Sequence, residues 1–255
     1  MIKSMESRVA LVTGSATGIG RGIALVFARE GAKVVVTTDK NIEGGQETVD
    51  MIKKEGGDAI FVQADLLQSS QVEKLINRVV EVYGRLDCAC NNAGIAGVRV
   101  PLIEFPEDQW NLVIDTDLKS VWLCMKYEIP QMLKQGKGAI VNISSAAGLK
   151  PNKGSTAYCS AKHGIIGLTK MAALEHAETG IRVNTVCPGP IRTPFVEDLC
   201  KKHPEREAWY ISTTPMRRMG TPTEIGEAVV WLCSDAASYI TGITLPVDGG
   251  YAELL

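Results

Sequence analysis

The chain has 255 residues, a formal net charge of −2 and 45% hydrophobic side chains. That length suits one large α/β domain as well as two small ones, and the near-neutral balance gives no pull toward nucleic acid or an anionic membrane. No apolar run is long enough to span a bilayer, and Met1–Arg8 is too short and polar to read as a signal peptide.

Arg8–Thr13 is a β-branched run that predicts a first strand, followed by Gly14-Ser15-Ala16-Thr17-Gly18-Ile19-Gly20 and a helix with Ile19, Ile23, Val26 and Phe27 on one side. Strand, glycine turn and helix are what a dinucleotide pyrophosphate needs. Glycines let the backbone turn tightly and let phosphate approach, and the free amides at the helix start face the anion. Gly31 is a C-cap candidate for that helix. Val34–Thr38 predicts the second strand, with Asp39 at its end. An acidic group about twenty residues past the glycine turn binds adenosine ribose hydroxyls, and a carboxylate there repels a 2′-phosphate. Asp39 therefore favours NAD over NADP, without excluding NADP.

Asn41–Glu55 reads as a polar helix, Ala59–Gln63 as the third strand and Gln68–Tyr83 as an amphipathic helix. Leu86–Cys90 predicts the fourth strand, running into Asn91-Asn92-Ala93-Gly94; Ile103–Lys134 reads as one long helical region. The fifth strand holds Ile140, Val141 and Ile143 and ends in Ser144 and Ser145. A loop with Pro151 and Gly154 leads into a helix that starts with Tyr158 and Lys162, four residues apart and so on one face. Ile181–Cys187 predicts a further strand ending in Pro188-Gly189-Pro190-Ile191-Arg192-Thr193, and Pro194–Gly220 reads as more irregular. Thr221–Ala236 predicts a helix opened by a capping box of Thr221 and Glu224, and Tyr239–Val247 a closing strand before Asp248-Gly249-Gly250. Strands alternating with helices argue for a parallel sheet covered on both faces.

Seven cysteines, Cys88, Cys90, Cys124, Cys159, Cys187, Cys200 and Cys233, are scattered and odd in number. They suggest no disulfide framework, and lead us to expect a reducing cytoplasm. Cys88-x-Cys90 is tighter than zinc pairs usually are and has no second pair, so no metal is expected.

Ser145 followed by Tyr158-x-x-x-Lys162 resembles the active site of the short-chain dehydrogenase/reductase family. Thr13-Gly14-x-x-x-Gly18-x-Gly20, Asn91-Asn92-Ala93-Gly94, Pro188-Gly189-x-Ile191-x-Thr193 and the Asp248-Gly249-Gly250 ending match further motifs of that family, in order, over nearly the whole chain. The resemblance implies a Rossmann-type doubly wound α/β fold with about seven parallel strands and helices on both faces. It implies one dinucleotide-binding oxidoreductase domain, 1–255, with a substrate lid at about 194–220, and a homotetramer. Cofactor contacts are then expected from Gly14, Ser15, Thr17, Gly18, Ile19 and Gly20 around the phosphates, and from Asp39 at the ribose. Asp65 and Leu66 fall at the adenine; Asn92, Ala93 and Gly94 border the cofactor. Pro188, Gly189, Ile191 and Thr193 fall at the nicotinamide carboxamide, beside Tyr158 and Lys162.

The implied chemistry is reversible hydride transfer between a secondary alcohol and nicotinamide. Tyr158 exchanges the hydroxyl proton, the Lys162 ammonium favours tyrosinate and binds the nicotinamide ribose, and Ser145 orients the reacting oxygen. Two positions depart from the family pattern. The usual acidic residue lies one position earlier, at Thr38. An Asn normally stands where this chain has Asp117, and an extra carboxylate there would favour the charged form of Lys162 and partly offset its field at Tyr158. An NADPH-dependent ketone or 3-ketoacyl reductase of the same family is the nearest alternative; a non-catalytic nucleotide-sensing protein and another Rossmann enzyme are more distant ones. Lys201, Lys202, His203, Arg206, Arg217 and Arg218 suit either an anionic substrate or, as we prefer, a solvated face, whereas Phe195 and Trp209 suit an apolar pocket.

Overall fold

A computed structural model describes residues 4–252; residues 1–3 of the Met1–Arg8 segment and residues 253–255 of the expected 1–255 domain lie outside the described residues. The elements run β1 (Val9–Thr13), α1 (Gly18–Arg29), β2 (Lys33–Thr38), α2 (Ile42–Lys54), β3 (Asp58–Gln63), α3 (Ser69–Tyr83) and β4 (Cys88–Asn91). They continue with α4 (Glu107–Ile114), a π-helical turn (Asp115–Lys119), α5 (Ser120–Gln135), β5 (Gly138–Ile143), α6 (Thr156–Glu175) and β6 (Ile181–Pro188). The last are α7 (Pro194–Lys202), α8 (Pro204–Thr213), α9 (Pro222–Cys233) and β7 (Thr244–Val247).

The seven strands form one sheet in the order β3-β2-β1-β4-β5-β6-β7, and every pair is parallel. Successive side chains of a strand point to opposite faces, and the sheet is buried on both. Ala10 and Val12 pack with Ile23, Phe27, Ile225 and Val229 beneath α1 and α9. Val9 and Leu11 pack with Leu75, Val79, Met125 and Ile165 beneath α3, α5 and α6. Full burial of one such Leu or Phe stabilises the fold by about 2 kcal/mol. The strand order reverses between β1 and β4, and ligands of open α/β sheets bind at the carboxyl ends of strands at such a point.

The structure departs from the sequence reading in three places. Pro194–Gly220 is not irregular: Pro194 and Pro204 each start a helix at the position where a missing amide costs nothing, and Thr193 Oγ1 caps the first by accepting from Val196 N at 3.3 Å. Ile103–Lys134 is not one regular helix. Pro106 delays its start to Glu107, and the π-helical turn interrupts it. The closing strand is confined to Thr244–Val247, because Gly242 adopts φ +75° and Thr241 Oγ1 replaces a strand carbonyl by accepting from Val183 N. Gly31 follows α1 at φ +94°, as its capping role requires.

Candidate active site

The ends of β1, β4, β5 and β6 converge at one edge of the sheet. After β1 the chain turns through Gly14 (φ +62°) and Gly18 (φ +56°), a backbone that L side chains rarely adopt. A Cβ on Gly14 would lie 2.8 Å from Ala93 Cα. One on Gly20 would collide with Gly14 O and lie 2.5 Å from Asn92 Nδ2. Asn92 ties the two turns together: its Nδ2 donates to Thr13 O at 3.0 Å and Gly14 O at 3.2 Å. Thr13 Oγ1 accepts in return from Asn92 N at 2.9 Å and Ala93 N at 3.1 Å. No side chain caps the start of α1, whose N-cap is Thr17. Its first amides are thus left for a ligand, and the glycines leave a cradle that side chains would fill, so these residues fit a dinucleotide.

Thr193, past β6, closes on the same turn, since a Cβ on Gly18 would lie 3.5 Å from Thr193 Cγ2. Ile191 bridges to Gly220, and Gly189 packs so tightly on Asp248 that a Cβ would lie 2.7 Å from its Cα. Asp248 then accepts from Gly250 N and Ala252 N, each at 2.8 Å, fixing the C-terminal turn against the Pro188-Gly189 segment.

Lys162 is buried between α6, the π-helical turn and β5. Its Nζ lies 3.1 Å from Asp117 Oδ2, 3.3 Å from Ile143 O and 5.4 Å from the centre of the Tyr158 ring, one helical turn before it. Burial opposes the Lys162 charge, but Asp117 first, then Tyr158, outweigh it and leave the ammonium above its ordinary pKa. Asp117 Oδ1 accepts from Ile95 N at 2.8 Å. Gly94 borders this pair: a Cβ there would lie 3.0 Å from Asp117 Oδ2 and 3.2 Å from Lys162 Nζ. Ser144 Oγ donates to Lys162 O at 2.7 Å, and Ser145 Oγ accepts from Ala147 N at 3.1 Å, which holds it at the end of β5.

Other residues singled out from sequence stand apart from this cluster. Ser15 is fully buried and its polar atoms join β1 to β2: Oγ donates to Val12 O at 2.7 Å and accepts from Thr37 N at 3.1 Å, and its amide donates to Thr37 O. Asp39 is exposed at the end of β2 and accepts from its neighbour Lys40 N at 2.8 Å. Asp65 accepts from Leu67 N at 3.0 Å and Gln68 Nε2 at 2.9 Å, and Leu66 packs against the core under α3 and α5. Among the described residues no three His, Cys, Asp or Glu converge as a metal-binding group.

Sequence reasoning missed the service of Thr13 to the Asn92 turn and a polar network below it. Asn91 Nδ2 donates to Asn142 Oδ1 at 3.0 Å and Glu128 Oε2 at 3.1 Å, and Asn142 Nδ2 donates to Thr169 Oγ1 at 2.9 Å. A glutamate one turn after Cys124 and one turn before Met132, on the buried face of α5, is the signal that marked it.

A parallel sheet with a glycine cradle at its switch point and a buried Lys one turn from a Tyr defines a nicotinamide-dinucleotide oxidoreductase of the Rossmann type. The chain belongs to the short-chain dehydrogenase/reductase family. Residues 14–252 match the family model described as enoyl-(acyl carrier protein) reductase. The chain is 41% identical over 253 residues to the cyclohexanol dehydrogenase of Acinetobacter sp., covering 99% of this chain and 98% of that protein. It is 42% identical over 244 residues to the 3-oxoacyl-[acyl-carrier-protein] reductase FabG of Staphylococcus aureus, covering 96% and 98%. The solved structure of levodione reductase superposes with a TM-score of 0.91 at 33% identity, covering 98% of this chain and all of that one. Actinorhodin polyketide ketoreductase with NADPH gives 0.92 at 33% identity, covering 99% and 100%. The protein is an oxidoreductase of small-molecule hydroxyl or keto substrates that uses a nicotinamide cofactor.

Proposed function

We propose that the protein is an NAD-dependent oxidoreductase of a secondary alcohol/ketone pair, with Tyr158 as the general acid/base. The observation that carries this reading is the buried, charged Lys162 over the Tyr158 ring, beside the exits of β4 and β5. When bound, the nicotinamide accepts or returns the hydride. Tyr158 takes the hydroxyl proton on oxidation and gives it back on reduction; Lys162 stabilises the tyrosinate and donates to the nicotinamide ribose. Ser145, held by Ala147 N, keeps its hydroxyl hydrogen for the reacting oxygen. Gly14, Thr17, Gly18, Ile19 and Gly20 would hold the pyrophosphate, Asn92, Ala93 and Gly94 the facing edge, and Pro188, Gly189, Ile191 and Thr193 the carboxamide.

Asp39 supports NAD, because a carboxylate at the end of β2 would repel a ribose 2′-phosphate, with the exposed Lys40 ammonium 3.9 Å from it as a partial countercharge. The NADPH-dependent ketoreductase reading keeps support from the names of the Staphylococcus aureus relative and of the NADPH-bound ketoreductase structure. We take 1–255 as one domain with its lid at α7 and α8. The exposed Trp122 and Leu133 on α5, with Met171 and Leu174 on α6, support a homotetramer in which copies cover these faces. Seven free, buried cysteines support a reducing cytoplasm, and among the described residues no helix is long and apolar enough to cross a membrane. A turnover screen of secondary alcohols and their ketones with NAD(H) and NADP(H) tests the reading: oxidation of an alcohol with NAD supports it, and turnover confined to NADPH overturns the cofactor assignment.

A further inference from the structure

We propose that Asp117 is a positioning residue whose negative charge, acting through Lys162, holds proton transfer at Tyr158 to a higher pH than an uncharged side chain in its place would. The inference rests on the reading of Tyr158 as the acid/base.

The Asp117 side chain is wholly buried and that of Lys162 is 5% exposed. Oδ1 is satisfied by Ile95 N, and Oδ2 faces the ammonium and no other donor among the described residues. Among the described residues, these groups act on Lys162 most strongly. On α6 it meets Tyr158, on the π-helical turn Asp117, on β5 the neutral Ile143 carbonyl, and on β6 Cys187. The Cys187 thiol is pushed up to about 11, chiefly by burial, so it stays uncharged at neutral pH. One carboxylate therefore stands against one ammonium, and water is excluded from between them. A lone ammonium would draw Tyr158 toward tyrosinate with its full field; the pair does so with much less.

The fold aims Asp117 deliberately. The π-helical turn, a device frequent at functional sites, breaks the helical register at Asp115–Lys119. Gly164 of α6 lets that turn approach, since a Cβ there would lie 2.8 Å from Leu118 Cδ2. Gly94 leaves room for the pair on the other side.

Asp117→Asn keeps an acceptor for Ile95 N and removes only the charge; Asp117→Ser removes the charge with a smaller side chain. Two pH titrations read the effect: kcat for alcohol oxidation, and ultraviolet absorbance of tyrosinate with Tyr158→Phe as the blank, which needs neither substrate nor cofactor. We expect both to move to lower pH by about one unit in each variant that keeps its circular dichroism. Titrations that stay in place, or move to higher pH, overturn the inference. If Tyr158→Phe is inactive and the Asp117 variants do not shift, this inference alone falls; if Tyr158→Phe turns over normally, the acid/base reading falls with it.

Discussion

Glu128 accepts a hydrogen bond from Asn91 Nδ2 at 3.1 Å, with both side chains sealed from solvent. Asn91 directly precedes Asn92, so this bond lies one residue behind the cradle for the cofactor. Glu128 Oε1 has no partner among the described residues, and burial pushes the carboxyl pKa up to about 7, against a smaller lowering by Asn91. The group is therefore neutral up to about pH 7, whereas an exposed glutamate is charged above about 4.5.

Between the ordinary value of 4.5 and about 7 the folded chain holds the Glu128 proton and the unfolded chain does not. Stability falls as pH rises through that window and levels off above it, by up to about 3 kcal/mol. Glu128→Gln keeps an acceptor for Asn91 and cannot ionise. Denaturant unfolding should therefore show the variant gaining on wild type from pH 5 to pH 8; parallel curves would show that Glu128 is not buried in this way.

Gly20→Ala would push a methyl group into Gly14 O and the Asn92 amide. Neither atom has room to give, because Asn92 Nδ2 is already bonded to Thr13 O and Gly14 O. Overpacking of this kind costs about 1–3 kcal/mol, and a cradle shifted by it should bind the dinucleotide at least about fivefold more weakly. Titration of NADH fluorescence measures it. Unchanged affinity in a folded variant would place the cofactor elsewhere.

On the NAD reading, Asp39→Arg replaces a carboxylate that would repel a 2′-phosphate with a guanidinium that would pair with it. The ratio of kcat/KM with NAD to that with NADP should fall by about tenfold or more. A wild type that already prefers NADP would overturn the assignment, and a ratio the variant leaves unchanged would show that Asp39 points away from the ribose.

Light scattering at working concentrations should give four copies. A monomer would show that the apolar faces of α5 and α6, with Trp122 and Met171, serve something else.

The strands were legible because a sheet buried on both faces demands β-branched runs such as Val34–Val36, and the glycine turn because its backbone excludes other residues. Tyr158 and Lys162 were legible as a helical pair following Ser145. Helices α7 and α8 lie in a segment that reads as irregular, although Pro194 and Pro204 are both at home in a first helical turn. The π-helical turn was hidden because an apolar pattern does not register one inserted residue. The contacts of Asp117 with Lys162 and Ile95, and of Thr13 with Asn92, join segments far apart in the chain, and only the assembled sheet brings them together.

On the proposed mechanism Tyr158 carries the proton while the rest of the site holds cofactor and substrate. Tyr158→Phe leaves the ring against the Lys162 ammonium and removes only the hydroxyl. The measurement is turnover of this variant beside its affinity for NADH. We predict that kcat falls by about a thousandfold or more while cofactor affinity stays within about threefold of wild type. Near-wild-type turnover would show that Tyr158 is not the proton carrier.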